Sequence, residues 1–183
     1  MTLHEEIAQN SLAAAFDTLN FSVGEVVALY REGDIALPEN WEERFTWSTE
    51  RKSALIESLL VGIPVSDIYL AVQEDGTWEL VDGVQRIATI LEFMGHLPGP
   101  GGHDRSPLAL TGTDLLPSLE GMVWASEEPD AKVLPTRLRF EFRRPKIGAH
   151  VLHRGAAPDV RQYLDRIVHG DREPASLEPC LRP

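Results

Sequence analysis

A chain of 183 residues, 43% hydrophobic and 25% charged, has the length and make-up of one domain that buries its own core, and its single cysteine, Cys180, excludes an internal disulfide framework. No apolar run approaches the ~20 residues of a membrane span, and Met1-Thr2-Leu3-His4-Glu5-Glu6 does not resemble a signal peptide, so a soluble cytoplasmic protein with no membrane partner is expected. The net charge of −12 is unevenly spread: residues 1–131 carry 6 Lys/Arg against 23 Asp/Glu, while residues 132–183 carry 11 against 6.

In chain order, Leu3, Ile7, Leu12, Ala15, Phe16 and Leu19 recur at helical spacing and predict a helix, or a docking arm, over 3–19 within an N-terminal stretch 1–20. Ser22 with Glu25 is a capping-box pattern, and Val23, Val26, Val27 and Tyr30 form the apolar stripe of a helix that Gly33 ends. Residues 34–47 read as extended or irregular and carry Pro38, Trp41, Phe45 and Trp47. Ser48 or Thr49 opens a second helix containing Leu55, Ile56, Leu59 and Leu60, closed by Gly62 and Pro64. A hairpin follows: Ile68–Val72, the turn Asp75-Gly76, and Trp78–Val81, with Trp78 and Leu80 on one face and Glu79 and Val81 on the other. A helix runs from about Val84 to Met94 on Ile87, Ile90, Leu91 and Met94.

Glycines and prolines then predict a mobile loop over 95–107, and residues 108–130 are weakly patterned. Leu134, Thr136, Leu138, Phe140 and Phe142 alternate and predict a strand over Leu134–Phe142, with another over Ile147–Leu152. Ala157–His169 reads as a helix and 172–183 as a frayed tail. The whole of 1–183 reads as one domain without internal repeats.

The chemistry concentrates at Asp82-Gly83-Val84-Gln85-Arg86, between a strand and a helix. Gly83 suits a tight turn that brings backbone close to a ligand. The following helix offers free N–H groups and a dipole that favour an anion, Gln85 adds an amide donor, and Arg86 adds a guanidinium matched to phosphate oxygens. Asp82 would repel a bare phosphate, so it suits a Mg²⁺ ligand or a water-orienting carboxylate. A plainer reading stands beside this one: Asp82 as N-cap, Gly83 as a turn residue and Arg86 as the surface partner of Asp82. Lys52, at the start of its helix, either reaches the same ligand or faces solvent. The histidines His4, His96, His103, His150, His153 and His169 show no nuclease constellation; His150 and His153 lie in a basic stretch and could bind a metal or an anion, though scattered surface histidines are the plainer reading, and no zinc-ligand spacing is present.

These residues, in order, resemble the ParB/sulfiredoxin-like domain of GmrSD-type modification-dependent restriction enzymes and related phage-defence proteins. The similarity spans Ser22–Leu37, Lys52–Leu60 with Gly62-Ile63-Pro64, Glu79–Thr89 and Leu164–Ile167 with Gly170. The resemblance implies an α+β fold, a small mixed sheet flanked by helices. It also implies nucleotide binding and hydrolysis with Mg²⁺ or another divalent cation and a nucleoside triphosphate, with Asp82 and Arg86 catalytic, Asp82 on the metal, and Gly83, Val84, Gln85 and Arg86 on the phosphates.

Two departures matter. Where the family carries Gln-Arg ahead of its aromatics, this chain has Glu42-Glu43-Arg44-Phe45-Thr46-Trp47, and Arg44 is the nearest substitute, one position away. The late asparagine and paired glycines are replaced by Val168-His169-Gly170-Asp171. A non-catalytic binding or regulatory module of the same fold is therefore the alternative to an NTPase. The expected partners are a nucleotide and a separate nuclease or other defence subunit, while direct DNA contact and self-association stay open. The acidic first part argues against lying along a nucleic-acid backbone, whereas the basic last third could face a polyanion, the acidic part of the chain, or solvent.

Overall fold

The computed structural model describes residues 2–3, 16–99 and 105–153. Strands β1 (Phe16–Ser22), β2 (Ile35–Ala36), β3 (Ile68–Val72), β4 (Trp78–Asp82) and β5 (Lys146–Leu152) form one mixed sheet in the spatial order β1-β5-β3-β4-β2. β1 is antiparallel to β5 and β3 to β4, while β3–β5 and β2–β4 are parallel. Helices α1 (Val23–Glu32), α2 (Trp41–Arg44), α3 (Thr49–Val61), α4 (Val84–Phe93) and α5 (Thr136–Phe142), with a short 3-10 turn at Pro117–Leu119, complete the described elements. The architecture is α+β, as expected. No helix among the described residues is long and apolar enough to cross a membrane.

Local sequence accounts for most element ends. Ser22 and Glu25 make both bonds of a capping box on α1, and Gly33, at φ 87°, closes that helix. Ser48 caps α3, and Gly62 ends it at φ 80°. The Asp75-Gly76 turn joins β3 to β4, with Thr77 donating from both its backbone N and its hydroxyl to Asp75 Oδ1.

The core lies on one face of the sheet. Ile68, Leu70, Leu80, Ile147, Ala149 and Val151 point into it from the strands, and Val23, Val26, Ile56, Leu59, Ile87, Ile90 and Leu91 meet them from the helices. Phe93, Trp124 and Phe142 pack edge to face at its end. Ala71, Val81 and Leu152, with Phe16 and Tyr69, form a smaller cluster apart from it. Trp78 and Leu80 join the main core and Val81 the smaller cluster, so the two faces of β4 sort as alternation predicts.

Three expectations are corrected. Residues 16–19, assigned to the N-terminal helix or arm, belong to edge strand β1, where Leu19 and Phe21 alternate inward against β5. Residues 4–15 of that arm lie outside the described residues. Leu134–Phe142 is not a strand: Thr136–Phe142 is a helix. Leu134, Leu138 and Phe142 are also spaced at four, and Leu138 and Phe140 are exposed where a half-buried strand would have used them. Residues 34–47, read as extended or irregular, supply the short strand β2 but also the single helical turn α2, which that reading lacked. The expected Ala157–His169 helix, the 168–171 motif, the 172–183 tail and Cys180 lie outside the described residues. So do residues 100–104 of the 95–107 loop. The flanks of that loop are anchored by buried Leu97 and by Arg105, which donates to Glu92 and to the Pro98 carbonyl.

Candidate functional site

The strand-turn-helix junction forms as the sequence implies. β4 ends at Asp82, Gly83 takes φ 103° and ψ 8°, and α4 begins at Val84. Two constraints demand glycine here. The left-handed φ disfavours any Cβ, and a Cβ would sit 2.6 Å from Ile68 Cγ2. The missing side chain thus makes room for Ile68 on β3 beneath the turn. No side chain caps α4, which leaves the N–H groups of its first turn to solvent or a ligand.

A β-bulge sets the direction of Asp82. Leu70 pairs with Leu80 but Tyr69 pairs with Asp82, so Val81 is the extra residue. Paired residues share a face, and the bulge therefore carries Asp82 onto the face of Tyr69, away from the main core. Arg86, one helical turn on, donates from Nη2 to Asp82 Oδ2 at 3.1 Å and to the Asp67 carbonyl at 2.9 Å. The two side chains are only 15% and 23% exposed. Arg86 Nε is buried and has no hydrogen-bond partner among the described residues.

Gln85 works differently from expectation. Its amide nitrogen donates to the Arg44 carbonyl and to Thr46 Oγ1, and its carbonyl oxygen accepts from Trp47 N at 3.2 Å. All three bonds go to the segment between α2 and α3. Arg44 Nη2 reaches across to the Val81 carbonyl at 2.9 Å. Gln85 and Arg44 thus clasp the 44–47 segment against the bulge and turn.

Lys52 stands elsewhere. Its ammonium lies 2.7 Å from Glu92 Oε2 and 4.0 Å above the Phe45 ring. Glu92 is seven residues beyond Gln85 on α4, about 10 Å along the helix axis. Arg105 Nη1 binds the other Glu92 oxygen at 3.0 Å, so two cations share one buried carboxylate.

Sequence reasoning missed Asp67. Its carbonyl holds Arg86, and its carboxylate lies 3.0 Å from His150 Nε2, whose Nδ1 faces Thr18 Oγ1 at 3.3 Å. The His150 ring stacks on Tyr69 at 4.9 Å. A Cβ at Gly148 would overlap the Asp67 carboxylate, so that glycine makes the pairing possible. No local pattern announces a contact made across three strands.

Among the described residues no group of three or more His, Cys, Asp or Glu side chains is placed to hold a metal ion. Asp82 offers one carboxylate beside an uncapped helix start. Mg²⁺ takes one or two protein carboxylates with phosphate oxygens and water, so this donor fits a nucleotide-borne Mg²⁺ and does not suit a closed structural site. An open cleft of about 510 Å³ lies apart from the turn, lined by Tyr30, Arg31, Ile35, Leu37, Trp41 and His96 among others. None of the predicted site residues lines it, and its shallow form carries less chemistry than the turn. Burial, followed by the charges of Arg31 and Arg143, holds the His96 imidazole below its usual pKa.

A family model described as the N-terminal domain of the GmrSD restriction endonuclease matches residues 43–174. No curated protein and no solved structure matches the chain.

Proposed function

Since the chain belongs to the family of GmrSD restriction endonuclease N-terminal domains, and so to the components of DNA-restriction and phage-defence systems, we propose that it is the nucleotide-binding module of such a system, holding the phosphates of a nucleoside triphosphate at the Asp82–Arg86 turn. The observation that carries this reading is the uncapped start of α4 at Gly83 with the Arg86 guanidinium one turn inside it. Backbone N–H groups and the helix dipole would face the phosphates, and Arg86 would supply charge. The ParB/sulfiredoxin-like character of the domain and its Asp-Gly-x-Gln-Arg motif belong to this same proposal.

A divalent cation bound with the nucleotide would neutralise phosphate charge. Asp82 would hold that cation or orient water, since the bulge puts its carboxylate at the mouth of the turn. Arg86 would exchange its bond to Asp82 for bonds to phosphate oxygens, keeping the Asp67 carbonyl as its anchor. Gln85 keeps the turn rigid from behind and contributes no donor while it clasps 44–47. Lys52 stabilises the far end of α4 and does not touch phosphate.

A second reading is favoured by one observation. Gln85, Arg44 and Arg86 all spend donors inside the protein, which suits a binding or regulatory module without turnover. Thermal shift and phosphate release with each nucleoside triphosphate and Mg²⁺, beside Arg86→Ala, separate the two. Binding should weaken at least about tenfold in Arg86→Ala, as expected for lost charge-assisted hydrogen bonds. Turnover lost in that variant supports hydrolysis, and binding without turnover supports the regulatory module. No shift with any nucleotide sinks both.

A further inference from the structure

The acid-rich chain carries one concentrated basic face. Residues 132–153 hold six Lys/Arg and one acid, Glu141, against a net charge of −12 for the whole chain. Most of these cations lie on or just after α5, the helix that alternation had disguised as a strand. Arg137 and Phe140, three apart on α5, share a stripe, and Arg144, two residues past the end of the helix, reaches back to the Phe140 ring. Phe140 is 59% exposed and its ring lies 4.8 Å from the Arg144 guanidinium carbon. Arg137 is paired with Glu141, but its side chain remains 88% exposed. Among the described residues neither Arg143 nor Arg144 has a carboxylate within 4.0 Å, and Arg143 instead lies 5.5 Å above Trp124.

We propose that this α5 face, with Arg137, Phe140, Arg143 and Arg144, binds the phosphate backbone of duplex DNA. Its cations are guanidinium groups, whose planar fork matches phosphate oxygens better than an ammonium does. Seven helical residues rise about 10 Å, an axial span of about three nucleotides of one strand at ~3.4 Å each. The Phe140 ring, against which the Arg144 guanidinium lies, holds that cation at the exposed surface. Lys146 is paired with Glu25 at 3.4 Å and Lys132 donates to the Glu120 carbonyl, so the arginines on and just after α5 carry this face. An anionic membrane is a poorer fit: Leu138 and Phe140 are the only exposed large apolar residues of α5 and, two apart, do not share a face, too little to anchor a helix in lipid.

The proposal does not rest on nucleotide binding at the Asp82 turn. Its test is fluorescence anisotropy of a labelled duplex with the full chain, without nucleotide, across a salt series. Wild-type protein should bind, with affinity falling linearly on a log–log plot against salt. Arg144→Glu, an exposed position, should weaken binding at least about fivefold and lower the salt slope by about one, the loss of one phosphate contact. Arg51→Glu, the same charge reversal on α3, should change neither. Arg86→Ala should retain duplex binding, which separates this surface from the turn. The proposal is overturned if wild type does not bind duplex at low salt, if Arg51→Glu weakens binding as much as Arg144→Glu, or if the protein binds anionic vesicles in place of DNA.

Discussion

Gly83→Ala probes the turn most directly. The residue sits at φ 103°, where an L side chain is strained by about 1–3 kcal/mol. A Cβ would also lie 2.6 Å from Ile68 Cγ2, and Ile68 is fully buried on β3. Overpacking of this kind costs about 1–3 kcal/mol more. The expected loss is therefore about 2–5 kcal/mol, a large share of the ~5–15 kcal/mol that holds a domain folded. Gly76→Ala isolates the backbone part, since Gly76 has φ 90° and nothing lies within 4 Å of where its Cβ would stand. Urea unfolding of both variants should show Gly83→Ala the worse by the steric share alone, at unchanged m-value. In a double-mutant cycle, Ile68→Ala should cost about 1–2 kcal/mol less in the Gly83→Ala background, because it removes the methyl that clashes. Equal losses at the two glycines, or strict additivity in the cycle, would refute the claim that Ile68 dictates this glycine.

Other outcomes follow from the same contacts. Gln85→Ala deletes three bonds to 44–47 and should cost about 2–3 kcal/mol, with faster amide exchange at Trp47 N; unchanged exchange there would contradict the clasp. Glu92→Gln leaves Lys52 and Arg105 without their shared charge and should cost about 3 kcal/mol in urea unfolding, whereas a loss within the range of surface substitutions would deny this network a structural role. The two Ser22 hydrogen bonds, then Lys146, lower the Glu25 carboxyl from 4.5 to about 2. A depressed folded value means that the carboxylate stabilises above about pH 4.5, and that this contribution fades as the pH falls toward 2. The melting-temperature gap between wild type and Glu25→Gln should accordingly shrink over that window, and a pH-independent gap would count against the assignment.

Much of this protein is decided within short windows of sequence. The Ser22–Glu25 box, the glycines at 33, 62 and 76 and the period-two pattern of β4 each act over a few residues, so local chemistry determines them. At Asp82–Arg86 the glycine and the following apolar stripe mark a strand-to-helix junction locally, while Ile68 on β3 adds the steric demand for glycine.

Tertiary structure decided what those residues touch. Alternation in Leu134–Phe142 suits a strand and a four-residue helical spacing alike, and only packing of Leu134 and Phe142 with exposure of Leu138 and Phe140 selects the helix. Phe16–Ser22 becomes a strand because β5, more than a hundred residues later, supplies its hydrogen-bond ladder. Residues 108–130 have no period of their own. They are held by buried Ser53, which accepts from Thr111 N, and by Glu57, which accepts from Leu115 N and Leu116 N. At the turn, the sequence named Gln85 and Lys52 as donors by residue type, and Arg44 as the substitute for the family's Gln-Arg pair. The fold turned Gln85 and Arg44 inward as a clasp, gave Lys52 to Glu92, and set the Asp67 carbonyl against Arg86 and its carboxylate against His150. A side chain's chemistry is written at its own position, but its partner comes from another strand or helix, and that choice exists only once the sheet has formed.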